Sequence, residues 1–213
     1  MTDPKRKYYE KRANVLIKNL HSRHFEACYC ADKAEALEKA LEWIPAGSSV
    51  GWGGAMSAQQ IGLLDAVRTG DYRALDRERA ATPEERKAIM QQCLGTDVFI
   101  TGANALSLDG QMVNIDGNGN RVSSTLYGHQ KVYFLVGVNK VAPDFEAALW
   151  RARNVAGPHR AQQLGKKTPC AVKADRCYDC KSPDRVCNAM VTLWGPMTGM
   201  ETEILLVDED LGL

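Results

Sequence analysis

The run Asp97-Val-Phe-Ile-Thr-Gly102 decides the fold class. A short unbroken apolar stretch that ends on glycine is what a strand buried on both faces of a parallel sheet looks like. The pattern returns at Val132-Tyr-Phe-Leu-Val-Gly137, and upstream Ser49-Val-Gly-Trp52 runs into Gly53-Gly54. Phe25, Ala27 and Tyr29 alternate as in a short strand, residues 111–115 suggest half of a hairpin, and 189–194 and 203–207 suggest final strands.

Helical patterns lie between these runs. Tyr9, Ala13, Leu16, Ile17 and Leu20 recur at helical spacing, which predicts a helix near residues 5–21. Asp32 followed by Glu35 opens a second helix carrying Leu37, Leu41 and Ile44, stopped by Pro45 and Gly47. A third is expected through Ile61, Leu64 and Val67. Thr82-Pro83-Glu84-Glu85 is a strong helix start, with Thr as cap and Pro at the first helical position. Residues 143–155 place Phe145, Leu149 and Ala152 on one face, and the polar stretch 69–81 reads as a surface excursion. Strands alternating with helices imply an α/β fold with an open, mostly parallel sheet flanked by helices. Residues 1–213 read as a single domain with a cysteine-rich segment at about 165–190.

Composition narrows the function classes. A formal net charge of +1 gives no electrostatic reason to expect nucleic acid or a membrane surface as partner. No apolar stretch approaches the roughly 18 residues of a spanning helix. The opening MTDPKRKYYEKR has charge but no apolar region behind it, so no secretory signal is visible and a cytoplasmic location is expected. In that compartment the seven cysteines are reduced thiols or metal ligands rather than disulfides.

In open α/β sheets, ligands bind beyond the carboxyl ends of strands, where glycine-rich loops feed helix starts. Three segments have that form: Gly51-Trp-Gly-Gly-Ala-Met-Ser57, Thr101-Gly-Ala-Asn104 and Gly137-Val-Asn-Lys140. They nominate Gly53, Gly54, Ser57, Gly102, Asn104, Asn139 and Lys140 as ligand-binding residues. A fourth segment, Asp116-Gly-Asn-Gly-Asn-Arg121, packs a carboxylate, two amides and a guanidinium onto flexible positions, with Asp109 and Asn114 just before it. One reading is a tight turn in which Asn and Gly supply positive φ and Arg121 caps a helix. The other is a cleft in which Asp109, Asn114, Asp116, Asn120 and Arg121 hold a hydroxylated carboxylate or a phosphate. Spacing leaves both open.

No nucleophile–base pair stands out, and His21, His24, His129 and His159 are scattered. Walker, G-x-S-x-G and H-E-x-x-H motifs do not occur, and Gly51-Trp-Gly-Gly lacks the spacing and following acid of a nicotinamide site. Cysteines carry a sharper signal. Cys170, Cys177, Cys180 and Cys187 form C-x6-C-x2-C-x6-C in a tract rich in Pro, Asp, Lys and Arg that does not read as core. Four thiolates at this density suit tetrahedral zinc or an iron–sulfur cluster, and the spacing does not choose between them. Lys173, Arg176, Lys181 and Arg185 nearby would stabilise thiolates. Cys28, Cys30 and Cys93 read as core.

The segments TGANALSLDGQMVNIDGNGNRV, GVNKV, RARNVAGP and TPC…RCYDCKSPDRVCN together resemble the LUD-domain (lactate-utilisation) family over nearly the whole chain. The four-cysteine tail is similar to that of a subgroup of stand-alone members. The resemblance implies a fold similar to ribose-5-phosphate isomerase and CoA transferases, in which loops equivalent to 50–57 and 101–104 bind phosphate or substrate. It also implies a redox setting, since some members act with iron–sulfur partner proteins in oxidising L-lactate to pyruvate. The expectation is therefore a redox-pathway component that binds a small hydroxy or keto acid, or a phosphorylated ligand, and carries a 4Fe–4S cluster on the four cysteines. The alternative is a non-catalytic ligand-binding or assembly subunit with structural zinc. No catalytic glutamate of the CoA-transferase type is visible, which counts against transferase or isomerase chemistry. A homo-oligomer is compatible with all of this.

Overall fold

The computed structural model describes residues 4–213, with side chains from residue 7 onward. Ten strands form two sheets. The main sheet holds β1 (Glu26–Cys30), β2 (Ser49–Trp52), β3 (Arg73–Leu75), β4 (Val98–Thr101), β7 (Lys131–Gly137) and β10 (Glu201–Val207), in the order β1-β10-β7-β4-β2-β3. Every pairing in it is parallel. A smaller sheet joins β5 (Ala105–Ser107), β6 (Met112–Asp116), β8 (Val141–Ala142) and β9 (Ala189–Leu193) in the order β8-β5-β6-β9. Residues 111–115 do fall in one arm of a hairpin, with Leu106 opposite Met112.

The apolar runs are unbroken because both faces of the main sheet are covered. Along β7, Tyr133 and Leu135 point into one core with Trp52, Leu63, Leu64 and Leu205. Val132, Phe134 and Val136 point into the other, with Leu16, Leu20, Phe25, Leu106 and Met112. The first core is roofed by the helix Lys33–Trp43 and by Leu63–Thr69. The second is covered by the helix Pro4–Ser22 and by the small sheet, whose far side packs on Ala148 and Ala152. Strands buried in this way carry the order of ~25 cal/mol per Å² of apolar area removed from water, which holds the sheet's centre firmly.

Three local expectations need correction. Residues 56–69 are not one helix: Met56–Gln60 ends before Gly62, whose φ of +85° breaks the turn, and Leu63–Thr69 begins afresh. The stretch 69–81 contains the edge strand β3 and buries Asp76 under Arg68 at 2.8 Å. The helix expected over 143–155 runs on to Gln163, passing through a π-helical segment at Ala152–Ala156. The capping signals hold: Asp32 accepts from Ala34 N and Glu35 N, and Thr82 accepts from Glu85 N. Among the described residues no helix is long and apolar enough to cross a membrane.

Candidate functional site

β2, β4 and β7 are neighbours and parallel, so the glycine loops that follow them meet at one end of the sheet. Gly53 N donates to Ile100 O at 3.2 Å, and Thr101 Oγ1 donates to Gly53 O at 2.8 Å. Above these loops opens a cleft of about 720 Å³.

The turn Asp116–Arg121 builds one wall, and its carboxylate is spent on the backbone. Asp116 Oδ1 accepts from Gly117 N and Asn118 N, and Oδ2 accepts from Arg121 N and Val122 N. Asp116 thus caps the short helix Asn120–Ser124, the role the turn reading gave to Arg121. The Arg121 guanidinium instead reaches under the glycine loops. Its Nη2 donates to Asn104 Oδ1 at 2.8 Å and to Ile115 O, and its Nη1 donates to Gly102 O at 3.5 Å. Asn104 Oδ1 also accepts from Ile115 N at 2.7 Å, so Asn104 and Arg121 lock the second loop to β6.

Gly54, Asn104, Asp116, Asn120, Arg121 and Lys140 line the cleft. Gly53, Ser57 and Gly102 support its floor: Gly53 lies against Asn120 and Arg121, and buried Ser57 accepts from Lys140 Nζ at 3.3 Å. Asp109 is elsewhere. It sits exposed on the β5–β6 hairpin turn, its carbonyl held by Arg23 Nε at 2.5 Å. Asn114 is fully buried and holds Asn104 N through Oδ1, and Asn139 Oδ1 accepts from Leu211 N. Both anchor the walls rather than facing the cleft.

Three cleft arginines escape the sequence reading: Arg77, Arg86 and Arg160. None of them forms an ion pair with a carboxylate among the described residues, nor do Arg121 and Lys140. Arg77 Nε is buried with no hydrogen-bond partner among the described residues. Burial, and then the nearby Arg86 guanidinium, hold Arg77 below the usual arginine range, with Arg160 adding to the effect. The acids of the cleft are already engaged. Asp116 is bound by backbone N–H groups, Glu78 stands 3.5 Å from Arg68, and Asp184 faces Lys166 and Lys167 N. A band of cations without carboxylate partners among the described residues, beside satisfied acids, gives the cleft an excess of positive charge.

Lys140 stands out within this band. It is 4% exposed, and burial first, then the Arg151 and Arg121 charges, push its amine down to about 7.

The four cysteines line a second cavity, of about 280 Å³. Thr168 and Pro169 start the helix that carries Cys170, while Cys177, Cys180 and Cys187 lie on irregular chain held by specific bonds. Cys177 N donates to Asn154 Oδ1 at 3.0 Å, Arg185 Nη1 donates to Cys180 O at 2.7 Å, and Arg185 Nε donates to Cys187 O at 3.0 Å. Asp179 takes a left-handed φ of +45°, which brings its N–H to 3.4 Å from Cys177 Sγ. Burial raises the Cys187 thiol above its usual range; Arg185 opposes this, and the other three cysteines reinforce it. Among the described residues no three His, Cys, Asp or Glu side chains are close enough to hold a single metal ion. Lys173 and Arg176 do not face this cavity; both stack on the Tyr178 ring, at 4.7 and 4.8 Å from its centroid. Cys30 and Cys93 are buried, and Cys28 is half-buried beside Cys30.

The two cavities share a wall made by Ile115, Gly157, Arg185, Val186 and Asn188. Asn188 N donates to Asp116 O at 2.9 Å, and Asn188 Nδ2 donates to Gly117 O at 3.0 Å. The polar turn of the cleft is therefore docked directly on the cysteine tract.

A protein-family model described as "LUD domain" matches residues 13–207. Among solved structures, the fold is similar to that of a DUF162 family protein from Deinococcus radiodurans, with a TM-score of 0.55 at 10% identity over 93% of this chain and 98% of that one. A ribose 5-phosphate isomerase A from Neisseria gonorrhoeae matches at a TM-score of 0.33 and 19% identity, over 52% of this chain and 53% of its own. No curated protein matches significantly.

Proposed function

Since the chain belongs to the LUD domain family, we propose that it is a redox-pathway component with two adjoining sites. The cationic cleft binds a small hydroxy or keto acid, or a phosphorylated ligand, and Cys170, Cys177, Cys180 and Cys187 hold a 4Fe–4S cluster beside it. The observation that carries this reading is the shared wall: one layer of residues separates a cleft lined by cations unpaired among the described residues from a cavity lined by four thiols.

Four thiols line one cavity of about 280 Å³, the ligand number of either a 4Fe–4S cluster or tetrahedral zinc, and the redox setting that the family resemblance implies favours the cluster. The Asp179 N–H donates to Cys177 Sγ, and the Thr168 hydroxyl, 3.3 Å from Cys170 Sγ, would donate to that sulfur once it is a thiolate ligand. The chemistry a cluster supplies is one-electron transfer. The chain's own part is to bind and orient the acid. Arg160, Arg77 and Arg86 attract its anionic groups, and the Gly54 and Asn104 loops set its position over Arg121 and Lys140.

Anaerobic purification followed by iron, sulfide and zinc analysis tests the cluster. Stoichiometric iron and sulfide with visible absorption supports it; a colourless protein with stoichiometric zinc removes it and leaves the assembly-subunit reading. Thermal stabilisation by L-lactate, pyruvate and inorganic phosphate tests the cleft independently of the metal.

A further inference from the structure

We propose that Lys140 is a nucleophile whose amine attacks the carbonyl carbon of a 2-oxo acid held in the cleft, forming an imine. This rests on the ligand reading above. Lys140 closes the 3-10 turn Val138–Lys140 at the end of β7, so its stem rises among the loops that follow β2 and β4. Its Nζ donates to the Ser57 hydroxyl at 3.3 Å. A Cβ at position 102 or 212 would stand 3.7 or 2.6 Å from Nζ, so the glycines there keep the space around the amine open.

The groups that face Lys140 do not suit an ammonium. They are the Ser57 hydroxyl and the Arg121 and Arg151 guanidiniums, and no carboxylate pairs with it among the described residues. A lysine kept only to attract anions would stay charged, and the arginines of the cleft already supply that attraction. A desolvated amine beside other cations is the arrangement that makes a lysine nucleophilic near neutral pH. Its lowered proton affinity, to about 7, agrees with this placement.

The amine nitrogen adds to the carbonyl carbon and gives up one proton, which the carbonyl oxygen takes to become the hydroxyl of a carbinolamine. That hydroxyl leaves as water with a second proton, drawn from solvent through Ser57, and the nitrogen keeps its remaining proton as a cationic iminium, so one solvent proton is consumed. No oxidant or reductant is consumed.

The test uses the full chain with glyoxylate, and separately with pyruvate, in the presence of cyanoborohydride near neutral pH, followed by peptide mass mapping. Lys140 is expected to be alkylated roughly tenfold or more faster than the exposed lysines, since each unit of lowered pKa raises the neutral fraction about tenfold. The Lys140→Met protein, shown folded by circular dichroism, is expected to lose that adduct and keep the slow surface labelling. If both acids label the exposed lysines and spare Lys140, the inference is overturned. Thermal stabilisation by the same acids without reductant separates the two ideas. Stabilisation with no adduct removes the imine and leaves the ligand site, whereas an adduct without stabilisation keeps the nucleophile and removes the reversible ligand.

Discussion

Gly54 lies directly over the side chain of Arg121: with φ at +59°, a Cβ placed there would come within 2.8 Å of Arg121 Cδ. Both the backbone conformation and the contact exclude larger residues, so the loop after β2 and the polar turn are fitted to each other.

Gly54→Ala should therefore lower stability by about 1–2 kcal/mol from the left-handed conformation alone, and should also push Arg121 away from Asn104. Thermal denaturation and phosphate titration should both move. If stability falls while phosphate binding is unchanged, Arg121 has no part in setting the cleft.

Arg160 is exposed and its side chain bonds to Gln163 on its own helix, so its removal should leave the fold intact. Arg160→Ala is expected to weaken an anion in the cleft by about 1.5 to 3 kcal/mol, the range for a charge-assisted hydrogen bond. The loss should shrink at high salt, where the attraction is screened. Calorimetric titration with phosphate at two ionic strengths reads both effects. An unchanged affinity would place the anion elsewhere.

The Lys140 amine titrates at about 7 in the folded chain against an ordinary 10.5. Between those values the folded state binds fewer protons than the unfolded state, so this residue's contribution to stability rises with pH across that window. Below pH 7 the full penalty of charging a buried amine applies. Lys140→Met should thus be more stable than the parent at pH 6, on the order of a few kcal/mol at about 1.4 kcal/mol per pKa unit, and the gap should close as pH rises toward 10. Denaturant melts across that range decide it. A gap that does not vary with pH would mean the amine is not held neutral.

Cys177→Ala should abolish bound iron and loosen the chain from about 170 to 188, because a tract this poor in apolar residues takes part of its folding energy from metal. Hydrogen exchange should speed there, while amides of β7 and β10 keep their protection. Exchange rates that rise across the whole sheet would contradict the separation of tract and core.

Gly117 couples the two sites, since a Cβ there would stand 2.8 Å from Val186 O. Gly117→Ala should lower both phosphate affinity and iron content, as it pushes the turn off the cysteine tract. An effect on only one of the two would show that the cavities are independent.

The parallel sheet was legible because burial on both faces leaves 98–100 wholly apolar and no charged residue in 132–137. Edge strand β3 was not: it has three residues, is exposed at Arg73 and pairs on one side only, so nothing separates it from a charged loop. The CxxC pair announced its tract because its neighbours are unsuited to a core. Arg77, Arg86 and Arg160 announced nothing. Each sits among other charged or polar residues as any solvated arginine does, and only tertiary structure shows that no acid answers them. The Asp116–Arg121 segment was read both ways: the aspartate makes the turn, and Arg121, instead of capping it, lines the cleft.

The π-helical segment Ala152–Ala156 sets a phase between the sites. Such a segment amounts to one residue inserted into an α-helix, and each residue turns the helix by about 100°. Arg151, before it, donates to the carbonyls of Asn104 and Asn139; Asn154, within it, holds Cys177 N; Gly157 and Arg160, after it, face the cleft. Deleting a single residue there would restore regular winding and rotate Arg160 away from the cleft while leaving Arg151 in place. One irregular turn thus fixes the angle at which a single helix meets both cavities.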